Sequence, residues 1–277
     1  MYILWMYHNM KFTVLLSLYN KEKPEYIYQC LQSINDNTLK PDQVVIVYDG
    51  PVGEELSAVV NKFTQLLNLD IVELPENVGL GRALNHGMNF CQYNLVLRMD
   101  TDDVCLPDRF EQQINLMTQY PEVALSGGAI NEFNEDMTSS QGIRLSVCGH
   151  EQIREYSKKR NPFNHMTVAF KKDVIQSVGG YQHHFLMEDY NLWLRVIAAG
   201  YKTLNLNRVL VNVRAGQNMI DRRRGGGYIK SEIYLAKLKY KLKIDNGFNI
   251  FICSVMRIIP RLLPTSLLGL VYKVLRN

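Results

Sequence analysis

Three carboxylates lie within four residues at Asp100, Asp102 and Asp103, directly after the apolar run Leu95-Val96-Leu97 and Arg98-Met99. Side chains alternate faces along an extended chain, so Asp100 and Asp102 project to the same side. Two neighbouring carboxylates repel, and a hard divalent cation, Mg²⁺ or Mn²⁺, relieves that repulsion. Such an ion is commonly held by one or two protein carboxylates together with a substrate's phosphates. The spacing therefore points to diphosphate chemistry. Taken by itself, the triplet is equally compatible with a solvated loop of helix-capping aspartates.

Other residue sets could serve the same chemistry. Asp49-Gly50 can present a carboxylate to a base N–H or a ribose hydroxyl, or can be a plain turn. Asn77-Val78-Gly79-Leu80-Gly81-Arg82 sets glycines before a helix start with a cation just inside, which suits a phosphate or a nucleoside edge. It has the spacing of neither the dinucleotide fingerprint nor the P-loop. Glu188-Asp189 opens a helix, where acids complement the dipole. An ionised carboxylate there could also accept a hydroxyl proton. His165 reads as a hydrogen-bonded structural residue or a site contact, and His183-His184 as a surface pair. Arg222-Arg223-Arg224-Gly225-Gly226-Gly227 is a cationic, flexible run, either solvated or able to close over a diphosphate.

The elements that must position these residues follow from periodicity. Phe12 to Leu18, Gln43 to Tyr48, Leu69 to Leu74 and the run ending at Asp100 read as strands. Between them lie helices with apolar residues at 3.6-residue spacing: Ile27, Cys30, Leu31, Ile34; then Leu56, Val59, Val60, Phe63, Leu67; then Ala83, Leu84, Gly87, Met88, Cys91. This alternation predicts an α/β fold with a mostly parallel central sheet flanked by helices. Ligands bind such sheets beyond the carboxyl ends of the strands. Asn20, Asp49, Asn77 and Asp100/Asp102 all follow strands, so four successive strands deliver polar groups to one edge. Further on, a helix is expected from Pro107 to about Gln119 and a strand over Val123 to Ile130. Asn134 to Gly149 reads as loop, and Gln152 to Lys159 as helix. A strand is expected over Met166 to Phe170, a turn at Val178 to Tyr181, and a helix over Glu188 to Ala199 with Gly200 as its stop. From Val209 the pattern loosens.

The chain of 277 residues has an ordinary globular composition and a net charge of +4. From Arg222 onward there are twelve Lys/Arg and two acidic residues. That regional excess suggests an anionic surface rather than nucleic acid as partner. The five cysteines are odd in number and none forms a CxxC pair, which disfavours a disulfide framework or zinc site and fits a reducing cytoplasm. Residues 1–10 lack the features of a secretory signal, and Met10-Lys11 looks like a start, so an N-terminal extension is expected there. No apolar run is long enough to cross a bilayer.

Assembled in order, these segments resemble family 2 of the inverting nucleotide-sugar glycosyltransferases, which have the GT-A fold. The likeness is greatest to the bacterial branch that builds capsule, O-antigen and exopolysaccharide. It runs from about Lys11 to Gly227 and rests on Val14-Leu15-Leu16-Ser17-Leu18-Tyr19-Asn20, Val45-Ile46-Val47-Tyr48-Asp49-Gly50, Asn77 to Asn85, Arg98 to Asp103, Val178-Gly179-Gly180-Tyr181, and Met187-Glu188-Asp189-Tyr190 with Trp193. The resemblance implies that Tyr19 and Asp49 line a nucleoside pocket and that Arg82 lies near the diphosphate. Asn20, Asn77, Glu188, Arg222 and Arg223 would add nucleotide-sugar contacts. Asp100 would touch ribose or metal, and Asp102 would hold the Mn²⁺ or Mg²⁺. Asp189 would be the general base for a single inverting displacement onto a glycan or lipid-linked acceptor, with a UDP-sugar as the expected donor. The family's usual aspartate pair after the second strand is Tyr48-Asp49 here. The QxxRW motif of processive members is absent, so one sugar per encounter is expected. A sugar nucleotidyltransferase and a non-catalytic nucleotide-sugar-binding subunit are the competing readings. The first lacks a glycine-rich, Lys/Arg-bearing signature after the first strand, and the intact acidic motifs weigh against the second.

The last segment, 228–277, alternates lysines with apolar residues and carries two uncharged runs too short to span a bilayer. A basic amphipathic tail suits the surface of an anionic membrane, which predicts peripheral attachment to the inner face of the cell membrane. A helix packed on the catalytic domain is the alternative.

Overall fold

The computed structural model describes residues 10–215 and 225–262. Its first half is the expected alternation. Strands β1 (Phe12–Leu18), β2 (Gln43–Tyr48), β3 (Leu69–Glu73) and β4 (Leu95–Arg98) pair in parallel, in the order β3-β2-β1-β4. β1, β2 and β4 are buried almost throughout because helices cover both faces of the sheet. Helices α1 (Pro24–Asn35) and α2 (Glu54–Phe63) pack against Val14, Leu16, Leu18, Val44 and Ile46. The alternate residues Leu15, Val45 and Val47 face α3 (Leu80–Gly87). That approach is close: a Cβ on Gly87 would lie 2.5 Å from Val47 Cγ2, so only glycine fits.

The second half departs from a parallel sheet. β8 (Ala169–Lys171) enters antiparallel beside β4, then β6 (Val123–Phe133) antiparallel beside β8. β9 (Lys202–Arg214) runs parallel to β6, and β5 (Val104–Cys105) closes the order antiparallel to β9. The nine-stranded sheet is thus parallel in its N-terminal half and mixed beyond β4. Several expectations are corrected here. β9 holds thirteen residues where the sequence pattern seemed to loosen. β7 (Ser140–Arg144) forms a hairpin with β6 inside the expected loop; its residues are all exposed, so it carries no apolar signature. His165–Thr167 is a 3-10 turn, and the strand expected there begins at Ala169.

Helices α4 (Arg109–Gln119), α5 (His150–Ser157), α6 (Lys172–Ser177) and α7 (Glu188–Ala198) complete the domain. Gly200, at φ +83°, ends the last of these. The remaining helices, α8 (Gly225–Lys241) and α9 (Gly247–Leu262), pack onto it. Gly225, Gly226 and Gly227, expected to be a flexible loop, form the first turn of α8. Tyr228 and Leu235 of α8 bury themselves against Met187, Tyr190 and Leu194 of the α7 region. Packing against a preformed face overrides the poor helix propensity of the glycines. His184 is likewise buried rather than on the surface. Its Nε2 lies 2.9 Å from the Ser231 carbonyl, and its ring sits edge-on to Tyr234.

Candidate active site

The loop after β4 is held by two arginines. Arg98, the last residue of β4, is buried, and its guanidinium forks onto both carboxylate oxygens of Asp100, with Nη1 to Oδ2 at 2.6 Å. Arg214, at the end of β9, donates its backbone N–H to Asp103 Oδ1 at 3.0 Å and its guanidinium to the Asp102 carbonyl, Gln29 and the Glu135 carbonyl. It also stacks 4.1 Å over the Tyr26 ring. Thr101 Oγ1 donates to Glu22 at 2.8 Å.

Oxygens of Asp100, Asp102 and Asp103 lie within 4.8 Å of one another. Burial, then the charges of Asp100 and Glu22, push Asp102 up to about 7. Burial and the same crowding raise Asp103 well above the usual carboxylate range. Even with Arg98 present, the cluster therefore resists carrying its full negative charge. An all-oxygen donor set with surplus negative charge is the chemistry that fits a hard divalent cation.

The nucleotide-side candidates gather at the carboxyl ends of β1, β2 and β3. Asp49 is buried and fastens the turn that precedes α3. Its Oδ1 accepts Val78 N–H at 2.7 Å, its Oδ2 accepts Gly79 N–H at 3.1 Å, and Asn77 Nδ2 donates to its carbonyl at 3.1 Å. Gly50 allows this approach, since a Cβ there would lie 2.7 Å from Asn77 N. Asn20 Oδ1 accepts Gly53 N–H at 2.9 Å. Tyr19 and Arg82 are exposed, with Arg82 in the first turn of α3.

The start of α7 abuts the start of α3: a Cβ on Gly81 would lie 3.3 Å from Glu188 Cβ. Burial, reinforced by Asp189, pushes Glu188 up to about 7. Asp189 Oδ2 accepts Asn161 Nδ2 at 2.6 Å, and its Oδ1 accepts Tyr190 N–H at 2.7 Å. The glycine turn before α7 is pinned at several points. Asn85 Oδ1 accepts Tyr181 N–H at 3.1 Å, and Arg195 donates to the carbonyls of Val178 and Gly180. Tyr181 O–H and His165 Nε2 are 2.8 Å apart, and both rings pack edge-on to Trp193. Burial keeps the His165 imidazole well below its ordinary value, so it is a neutral structural partner.

Arg98 and Tyr181 are both within electrostatic reach of the two acidic groups. Each interacts electrostatically with Asp100 and with Glu188. The fold thus brings Asp100, Asp102, Glu188 and Asp189 to one edge, with Tyr19, Asn20, Asp49, Asn77 and Arg82 along the strand ends beside them. Arg222 and Arg223 lie outside the described residues. Four residues of the site were not singled out from sequence: Arg98, Arg214, Glu22 and Asn161. Arg98 had a signal, because it lies two residues before Asp100 on extended chain and shares its face.

The curled α/β sheet flanked by helices is the GT-A fold, as the solved structures below bear out. The family described as Glycosyl transferase family 2 matches residues 13–179. The chain is 48% identical over 262 residues to the amylovoran biosynthesis glycosyltransferase AmsE of Erwinia amylovora, covering 95% of this chain and 98% of that one. It is 41% identical over 263 residues to the UDP-Gal:alpha-D-GlcNAc-diphosphoundecaprenol beta-1,3-galactosyltransferase of Escherichia coli, covering 95% of each. Among solved structures, S. aureus TarS 1-349 shares the fold at a TM-score of 0.68 and 16% identity, covering 90% of this chain and 71% of that one. The mannosyltransferase PcManGT from Pyrobaculum calidifontis, in complex with GDP-Man and Mn²⁺, does so at 0.64 and 19% identity, covering 96% and 76%. This chain belongs to glycosyltransferase family 2, and its relatives are glycosyltransferases of exopolysaccharide and O-antigen synthesis.

Proposed function

We propose that the protein transfers one sugar from a UDP-sugar to a hydroxyl of a glycan or lipid-linked acceptor, with inversion, in surface polysaccharide synthesis. The observation that carries this reading is the convergence of the Asp100/Asp102/Asp103 cluster and the Glu188–Asp189 pair around Arg98 and Tyr181. The E. coli relative, named for UDP-Gal and a diphosphoundecaprenol-linked acceptor, supports the donor nucleotide and the acceptor class.

In this reading Tyr19, Asn20, Asp49 and Asn77 receive the nucleoside. Arg82, with Arg222 and Arg223, neutralises the diphosphate, and Glu188 contacts the donor sugar. Asp102, with Asp100 beside it, would hold the Mn²⁺ or Mg²⁺. When bound, the cation offsets the negative charge of the departing nucleoside diphosphate. Asp189 accepts the proton of the acceptor hydroxyl, and that oxygen attacks the anomeric carbon from the face opposite the diphosphate. The bond to the diphosphate breaks as the new glycosidic bond forms, so the anomeric configuration inverts. The protein works at the inner face of the cell membrane, attached peripherally through its basic C-terminal segment.

The test is turnover with UDP-, GDP-, dTDP- and CMP-sugars on a polyprenyl-diphosphate-linked sugar acceptor, with product linkage read by NMR. A single product from one UDP-sugar, of inverted configuration, is expected. Product only from another nucleotide class, or with retained configuration, contradicts the proposal.

A further inference from the structure

Among the described residues, helix α9 packs one side against the protein and leaves an apolar stripe exposed on the other. On the covered side Ile250 is buried. Arg257 pairs with Glu232 of α8 at 2.8 Å and donates to the Lys159 carbonyl at 3.0 Å. On the other side Phe248, Phe251, Ile252, Met256 and Ile259 stand exposed at 72, 66, 39, 66 and 53%. At 3.6 residues per turn these five fall in one stripe about 140° wide. The stripe contains no charged residue. An exposed apolar stripe of this size on a helix marks a surface that another apolar phase covers.

The charge carried by the same helical hairpin favours one kind of cover. Lys230, Lys237, Lys241 and Lys243 of the same hairpin are exposed, and Tyr240 packs against Gly247 where α8 hands over to α9. Residues 222–277 carry the basic excess, while the rest of the chain is net acidic. A second copy would meet the same net positive charge. An anionic bilayer supplies opposite charge and an apolar layer at once. The sixteen residues of α9 reach about 24 Å, short of the roughly 30 Å of a bilayer core. No described helix is long and apolar enough to cross a membrane.

We propose that α9 lies in the plane of an anionic membrane interface, with Phe248, Phe251, Ile252, Met256 and Ile259 among the acyl chains and the hairpin lysines at the headgroups. This deepens the peripheral attachment named above, and it rests on the lipid-linked acceptor reading only for its purpose. It also fixes where the active site sits. Lys239 Nζ donates to the Lys158 carbonyl at 2.7 Å, and Arg257 to the next carbonyl. Both cations lie over the ring of Tyr190, which follows Asp189 in the chain. Asn161, just beyond those carbonyls, holds Asp189. The membrane seat is therefore built onto the elements that carry the proposed base.

The experiment is flotation of the full chain with vesicles of phosphatidylcholine alone, and of phosphatidylcholine mixed with phosphatidylglycerol. It compares wild type with the triple variant Phe248→Ser, Phe251→Ser, Met256→Ser. Wild type is expected to float with the anionic vesicles and to weaken as salt rises. The triple variant should bind at least about tenfold less well while keeping the wild-type circular dichroism and melting profile. A second variant, with Lys237, Lys241 and Lys243 each changed to Glu, should lose the preference for anionic vesicles. Wild type remaining in the aqueous fraction with both vesicle types overturns the proposal. So does a triple variant that floats as well as wild type. A wild-type dimer that the triple variant makes monomeric, without flotation, assigns the face to a second copy instead. Turnover on a water-soluble acceptor analogue separates this inference from the activity: the triple variant should match wild type there. Flotation with no turnover on any acceptor sinks the proposed function and leaves the membrane seat standing.

Discussion

The two acidic groups of the site are held by opposite means. Off β4, three carboxylates crowd together, gripped from behind by the buried Arg98 and the Arg214 backbone, and Asp102 and Asp103 are pushed toward protonation. At the start of α7, Asp189 is held by a neutral amide, Asn161, and by the Tyr190 N–H. The first arrangement crowds carboxylates that Arg98 does not fully offset, a strain that a bound cation would relieve in the proposed reading. The second supplies two neutral donors to a carboxylate that, in the proposed reading, accepts a proton. On that reading one fold edge carries a charge sink and a proton acceptor, set apart by the groups that hold each.

The comparison breaks most visibly at the acceptor. Asp189→Asn should lower kcat by about 10²–10⁴-fold while leaving donor binding in place, read by steady-state kinetics beside donor titration. A variant that loses donor affinity in proportion would put Asp189 on the donor side instead. Arg98→Met should act on the other group. It leaves the partly exposed Asp100 without its partner, at a cost of about 1–3 kcal/mol in unfolding free energy by denaturant titration. A loss below about 1 kcal/mol would mean that Arg98 does not hold the loop.

Glu188 sharpens the contrast through pH. Its folded value, about 7, is raised above the 4.5 of a free glutamate by burial and then by Asp189. A raised acid favours its protonated form in the fold. Its destabilising effect is absent below about 4.5, grows as pH climbs through the interval, and is complete above about 7. Glu188→Gln should therefore melt like wild type near pH 4.5 and be more stable above pH 7, by up to about 2 kcal/mol after allowing for its partial exposure. A difference independent of pH would remove Glu188 from the coupled site. The smallest effect is expected at Asn161→Ala. Removing one neutral hydrogen bond from Asp189 should cost about five- to tenfold in kcat and shift the acid limb of the pH profile, with donor KM unmoved.

The parallel half of the sheet was legible because its strands are apolar runs buried on both faces, punctuated by Asn20, Asp49 and Pro75. The mixed half was not. β7 has no buried residue, and β9 interleaves exposed and buried positions with register shifts against β6, which blurs its period. The acidic runs stood out by local spacing, which by itself fitted a solvated loop or a helix-dipole role as well as a site. The contact from Asn161 to Asp189 spans 28 residues and leaves no local trace. His184 looked like its exposed neighbour His183, because what buries it comes from α8. The start of α8 was hidden by its three glycines, which are helical only because Tyr228 and Leu235 dock on the α7 region.

The central claim is that Asp102 binds the metal that joins the donor to this edge, and thermal shift tests it most directly. Wild type, Asp102→Ala and Asp189→Ala would each be melted with UDP and Mn²⁺, and with UDP and EDTA. A ligand that binds only the native state raises its melting temperature. The account predicts a rise for wild type and Asp189→Ala that EDTA abolishes, and no rise for Asp102→Ala. An equal rise in Asp102→Ala, or one that survives EDTA, would contradict it.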